Sequence, residues 1–257
     1  MNGSAGASYN PSPYWNFKLN FSTGFRAPNL AELSSNGVHE GTFRYEIGDP
    51  DMKVEQNLNG EIFAGFEQKQ FSASVSIYNN HFFNYVYLAP TDAEYFGFQI
   101  YRYLQENATL RGGEATVDLH PDGIEWLDFS ASYSLVRGKT DAGQYLPFIP
   151  ADKLKGNFKF NLFKSAKNWK HTFFNVGADY VFAQNHPGQF ETFTPDYGLM
   201  NASLGSDIHL KRQEIDITLG CNNLLNIAYY DHLSRFAYFG ILDIGRNVYL
   251  NVNLPFN

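Results

Sequence analysis

From Asn247 onward the chain alternates without interruption. Val248, Leu250, Val252, Leu254 and Phe256 are apolar, and Asn247, Tyr249, Asn251 and Asn253 lie between them. A period of two sends successive side chains to opposite faces of a strand. One face of this strand is therefore wholly apolar and the other rich in amides. The same pattern recurs upstream: Trp15, Phe17, Leu19 and Phe21 interleave with Asn16, Lys18, Asn20 and Ser22, and Leu154, Phe158, Phe160 and Leu162 with Lys153, Lys155, Asn157 and Lys159. Alternation predicts about eleven strands in all. Segments of about ten residues with one apolar and one polar face, repeated along a chain, are the signature of a transmembrane β-barrel.

The connections support that reading. The first strand is expected at 5–9 and the second from Trp15, separated by a turn at Asn10-Pro11-Ser12-Pro13. A long polar excursion covers 27–56. Strands at 58–66 and 71–88 meet at Gln68-Lys69-Gln70, and Ala89-Pro90 opens a second long loop that returns at Tyr101. Further short turns are expected at His120-Pro121-Asp122-Gly123, at 164–168 and at Lys211-Arg212-Gln213, and further long loops at 138–148, 185–195 and 224–244. Short turns and long loops thus alternate, as in outer-membrane barrels, where the turns are periplasmic and the loops external. The C-terminus then falls on the periplasmic side. An odd strand number leaves the first and last strands running the same way, whereas bacterial single-chain barrels have an even number. The expectation is an all-β, antiparallel transmembrane barrel that is incomplete, with partner strands missing from its N-terminal side.

Composition narrows the classes. Hydrophobic content is 44% and mean hydropathy -0.35, and no run approaches the roughly 18–20 apolar residues of a spanning helix. The 24 Phe and 17 Tyr suit the aromatic girdles of a barrel, the alternative being an aromatic-rich β-sandwich. A net charge of -7 argues against nucleic acid, which asks for a basic stripe. The single cysteine, Cys221, lies in an apolar phase with Ile215, Ile217 and Leu219, as a small filler. Met1-Asn2-Gly3-Ser4-Ala5-Gly6 has neither the basic nor the apolar region of a signal peptide, which leads us to expect an excised or truncated piece. No G-x-S-x-G or H-E-x-x-H element points to catalysis. The expectation is a protein that is not an enzyme and has no resident cofactor or metal.

Phe25-Arg26-Ala27-Pro28-Asn29-Leu30-Ala31-Glu32-Leu33, directly after an outward strand, resembles the FRAP box of TonB-dependent outer-membrane receptors. Gly48-Asp49-Pro50-Asp51-Met52-Lys53-Val54-Glu55 is similar to that family's second box, with Asp49 for the usual Asn and Val54 for the usual Pro. Asn222-Asn223-Leu224-Leu225-Asn226, followed by Tyr229-Tyr230, resembles an element near the family's C-terminus, and Gly245-Arg246-Asn247 opens a similar last strand. The resemblance covers essentially the whole chain. It implies residues 1–257 of a C-terminal barrel portion, without the plug and N-terminal strands, in a receptor of roughly 22 strands. It further implies a bacterial outer-membrane location, import of an iron chelate (siderophore or haem) or another scarce nutrient, and coupling to TonB through the plug. A structural or adhesive barrel whose loops bind a protein or phage is the alternative.

Candidate ligand-binding residues follow from the loops. Arg26 sits at the outer rim, where its fork can bind a ligand or, as the more favoured reading, carboxylates such as Glu32 or Glu40. In haem receptors of the family a histidine between the two boxes is an axial ligand, and His39 occupies that place here; imidazole is a competent iron ligand, and His186 and His232 are potential partners. The alternative is a solvated loop histidine. Tyr95, Phe96, Tyr229 and Tyr230 belong to aromatic loops that can stack on planar or hydrophobic ligands, against the alternative of girdle and loop packing.

Overall fold

The computed structural model describes residues 2–166, 169–189, 191–210 and 213–254. The chain is one antiparallel sheet wound strand after strand. In chain order it comprises β1 (Gly3–Ser12), β2 (Trp15–Arg26), a short helix α1 (Leu30–Ser34), β3 (Asn36–His39), β4 (Arg44–Ile47), β5 (Glu55–Glu67), β6 (Phe71–Tyr95), β7 (Phe98–Leu119), β8 (Leu127–Thr140), β9 (Lys153–Ala166), β10 (Trp169–Val181), β11 (Tyr197–Leu210), β12 (Gln213–Asn222) and β13 (Asn247–Asn253). Eleven of these pair consecutively, from β1 through β2, β5 and onward to β13, while β3 and β4 lie off that path. The sheet does not close. Among the described residues β1 pairs only with β2 and β13 only with β12. Because the path has an odd number of strands, both free edges run in the same direction.

Register carries the alternation from strand to strand. Leu19 faces Ile62, Ile62 faces Ile77, Phe129 faces Phe158, Phe158 faces Val176, Leu204 faces Leu219 and Leu219 faces Leu250. Val252 and Val248 fall in the same phase, opposite Ile217 and Cys221. Phe256 lies outside the described residues. The other phase is polar and cross-linked, with Ser74 to Thr116 at 2.7 Å, Ser76 to Glu61 at 3.0 Å, and Asn161 Nδ2 donating to Asp128 at 2.8 Å. Cross-strand pairs of like polarity are the unit of sheet stabilisation. The apolar face is open: Phe21, Ile62, Ile77 and Leu219 are each about half exposed (54%, 53%, 52% and 52%). A contiguous apolar face of that extent needs an apolar neighbour outside the chain.

Two expectations are corrected. The segment after Ala89-Pro90 is not a long loop, because β6 and β7 continue as one hairpin and turn only at Phe96-Gly97. Pro90 is accommodated next to a register shift between Pro90 and Glu94, where a missing donor is tolerated. The excursion at 27–56 stands as the link from β2 to β5, and it is structured, holding α1, β3 and β4. β1 is also longer than 5–9, with a register shift between Tyr9 and Ser12. The short turns fall as expected at 68–70 and after Leu119; Lys167, Asn168, Lys211 and Arg212 of the other two lie outside the described residues.

A small enclosed core sits at the long-loop end, on the polar side of the sheet. Ala108, Leu146 and Ile149 are buried there against Tyr85, Tyr87, Leu110 and Val136. Gly138 permits it: a Cβ at that position would lie 2.9 Å from both Ile149 Cδ1 and Leu110 Cδ2. The 141–152 loop is thereby folded down onto β7 and β8.

Candidate functional site

The long loops converge at one end of the sheet, and the first is fixed at its root by charge. Arg26, the last residue of β2, donates through Nη1 to both carboxylate oxygens of Glu32 (2.9 and 2.8 Å) and through Nη2 to Glu55 at 3.2 Å. Glu32 and Glu55 are buried, and Glu55 also accepts the Val86 N–H at 2.9 Å. Glu32 is the third residue of a capping box in which Asn29 accepts its N–H and Glu32 accepts the Asn29 N–H; this satisfies two orphan donors of the short helix. Gly48 closes the root, for a Cβ there would lie 2.7 Å from Glu32 O and Ser34 N. Arg26 thus binds Glu32 as expected, and Glu55 stands where Glu40 was the other candidate.

Beyond this root, β3 and β4 form a small hairpin that joins the projecting β6–β7 pair. β4 pairs with β7 in parallel, Arg44 with Gln99 through Ile47 with Arg102. Glu46 is buried, accepts from Arg44 Nε at 2.6 Å and from the Tyr103 hydroxyl at 3.0 Å, and lies 3.8 Å from His39 Nε2. His39 itself is mostly exposed. On the other face Tyr45 packs on Tyr95 (4.7 Å between centroids), and Tyr95 meets Phe96 edge to face at 4.7 Å. Phe96, at 86% exposure, caps the hairpin tip. His39, Tyr95 and Phe96 therefore share one structured lobe.

Tyr229 and Tyr230 lie on the last loop. Tyr229 packs at a tilt on Tyr197, 4.4 Å between centroids; Tyr197 donates to Asp231 at 2.8 Å, and the Tyr230 hydroxyl donates to Gly240 O at 3.1 Å. Burial, reinforced by Asp243 and Asp231, raises the Tyr229 hydroxyl above its ordinary pKa, so the ring stays neutral. His232 is buried beside Glu191 (3.6 Å) and Thr194 (3.1 Å), while His186 packs on Tyr145. Burial alone would raise the Glu191 carboxyl. His232 and the N–H groups of Phe148 and Gly188 outweigh it and hold the group below the usual glutamate value. Among the described residues no group of three or more His, Cys, Asp or Glu is arranged to hold a metal ion. The first and last loops touch where Phe43 meets Phe239 at 5.3 Å. Arg44, Tyr45, Glu46 and Asp231 had no signal in the sequence beyond their residue types.

Residues 1–224 match the family described as TonB dependent receptor-like, beta-barrel. The chain belongs to this family of bacterial outer-membrane receptors. It is 21% identical to an iron-regulated outer membrane virulence protein of Vibrio cholerae, over 96% of this chain and 38% of that protein. Among solved structures it resembles the copper transporter OprC (TM-score 0.79, 17% identity, 98% of this chain and 39% of the other). It also resembles the ferric enterobactin receptor PfeA of Pseudomonas aeruginosa (TM-score 0.69, 16%, 98% and 39%). A further likeness is to the FrpB iron transporter of Neisseria meningitidis (TM-score 0.68, 16%, 98% and 38%). The chain spans about two-fifths of the length of these relatives. As a TonB-dependent receptor barrel it sits in the outer membrane, where an exposed apolar face suits lipid and where barrels carry short periplasmic turns and long external loops.

Proposed function

We propose that this chain forms the C-terminal part of the barrel wall and extracellular loops of a receptor that imports an iron chelate, siderophore or haem, or another scarce nutrient. Energy would arrive from TonB through a plug domain, and the open edges of β1 and β13 would pair with further barrel strands. Unpaired edges are not viable in hydrocarbon, where each unsatisfied backbone group costs several kcal/mol. The observation that carries the import reading is the aromatic lobe: Tyr95 and Phe96 are presented to solvent (46% and 86% exposed) on a hairpin braced by β4. Exposed rings held on a rigid support capture planar or hydrophobic chelates at low entropic cost. Tyr229 and Tyr230 would close on the ligand from the last loop, and Arg26 shapes the site by holding the first.

The test is uptake by iron-limited cells expressing the receptor that carries this chain, given catecholate chelates, haem or a copper complex. Tyr95→Ala with Phe96→Ala should lower uptake of one ligand about tenfold, from roughly 0.5–1.5 kcal/mol per ring, with surface level unchanged. Unchanged uptake of every ligand, with retained binding of a phage or protein partner, would replace import with the adhesive reading.

A further inference from the structure

On β6, β7 and β8 the lipid face changes character within one step of register. Ile77, Gly113 and Leu135 form its last apolar row. The next row toward the extracellular end is Asn79, Arg111 and Arg137, and the one after it His81, Thr109 and Lys139. Arg137 lies about ten residues beyond Leu127, at the start of β8. At about 3.3 Å per residue and a tilt of ~40° this is ~25 Å along the membrane normal, the height of a barrel's apolar band. The cationic rows therefore begin where the headgroups of the outer leaflet lie.

The arrangement is not balanced internally. Arg111 and Arg137 are direct partners across the ladder, and like charges placed opposite each other destabilise a sheet. Only one is neutralised: Arg137 forks onto Asp152, with Nη2 2.7 Å from Oδ2, and Tyr133 donates to the same oxygen at 3.0 Å. Arg111 is exposed and donates through Nε to Asn79 Oδ1 at 2.8 Å. Lys139 is exposed and lies over the Tyr145 ring at 4.3 Å. Neither forms an ion pair with a carboxylate among the described residues. They occupy diagonal positions, about 7–8 Å apart, a gap that a phosphate bridges. The neighbouring lysines of β9 do not add to the patch, because Lys153, Lys155 and Lys159 pair with Ser134, Ser132 and Asp128 on the inner face.

We infer that Arg111 and Lys139 form a binding site on the outer wall for the phosphate of an outer-leaflet lipid headgroup, whose acyl chains lie on the Ile77–Leu135 row below. The site is independent of the imported ligand. It fixes the depth of this wall in the membrane and neutralises the repulsive Arg111–Arg137 pair.

The experiment uses the receptor carrying this chain, extracted from the outer membrane in detergent and examined by native mass spectrometry with added lipid A. The probes are bisphosphorylated lipid A, phosphate-free lipid A and inorganic phosphate. Each cation is worth about fivefold in lipid affinity. Arg111→Gln or Lys139→Gln should each lower binding of bisphosphorylated lipid A by that factor, and the double variant about thirtyfold. Lys155→Gln, on the inner face, should bind as the unaltered receptor does. A heat-modifiable gel band establishes that each variant is a folded barrel. Equal binding by the double variant, equal binding of phosphate-free lipid A, or an equal loss in Lys155→Gln would overturn the assignment. Displacement of the lipid by millimolar inorganic phosphate would reassign the site to free phosphate and overturn the lipid reading as well.

Discussion

Replacing Arg26 by Met tests whether the first extracellular loop is held by charge. The substitution keeps an apolar stem but removes the guanidinium that two buried carboxylates share, Glu32 and Glu55, at 7% and 9% exposure. Losing one partner of a fully buried ion pair costs about 3–5 kcal/mol. The Arg26 side chain is 42% exposed, so water offsets part of that loss, and about 2 kcal/mol is the working figure. The barrel wall does not depend on this loop, so the cost appears as local opening of residues 27–54. Amide hydrogen exchange reads it directly. The Gly48 N–H bonded to Ser35 O at 2.7 Å and the Asp49 N–H bonded to Glu32 O at 2.8 Å should exchange about thirtyfold faster. Adding Glu32→Gln and Glu55→Gln to Arg26→Met should restore most of the protection, since Gln at the third helical position still serves a capping box. Unchanged exchange in Arg26→Met, or no recovery in the triple variant, would show that the clamp does not hold the loop.

Val252→Arg should destabilise the barrel by about 2–4 kcal/mol if the residue lies near the bilayer midplane, and Asn251→Arg should be tolerated; equal effects in urea unfolding from bilayers would contradict the face assignment. Where haem is the imported chelate, His39→Ala should abolish growth on haem as sole iron source while other sources remain usable, and unchanged growth would remove His39 as an axial ligand. The Glu191 carboxyl has a folded-state pKa below its usual 4.5, so its stabilisation of the 185–195 loop is complete above that value. It is lost as pH falls through the lower folded value, and protease cleavage of that loop should rise over this acid interval in the unaltered receptor but not in Glu191→Gln.

The wall was legible because lipid on one side and a polar interior on the other impose a strict period of two, which survives in single sequences. All eleven strands of the path appear in that pattern. The extracellular lobe was not, and for definable reasons. β3 and β4 are four residues each, too short for periodicity to register, and the parallel pairing of β4 with β7 joins segments about 55 residues apart. Beyond Leu88 both faces of β6 are solvated or covered by loops, so alternation lapses and Pro90 reads as a break. The Arg26–Glu32 contact was readable from local spacing, but Glu55 reaches Arg26 only because β2 and β5 pair Arg26 with Glu55. Glu46, the buried centre of the His39 lobe, gave no signal because a carboxylate in a polar stretch looks solvated.

The parallel seam between β4 and β7 has a mechanical consequence. Side chains alternate faces along β4, so displacing it by one residue would expel Glu46 from the pocket it shares with Arg44 and Tyr103 and drive the Tyr45 ring into it. A smooth glide of the first loop along the hairpin is therefore closed to this receptor. Only a register that keeps Glu46 toward Tyr103 leaves the Tyr45 ring against Tyr95, so the buried carboxylate contact and the brace of the hairpin tip are kept or lost together.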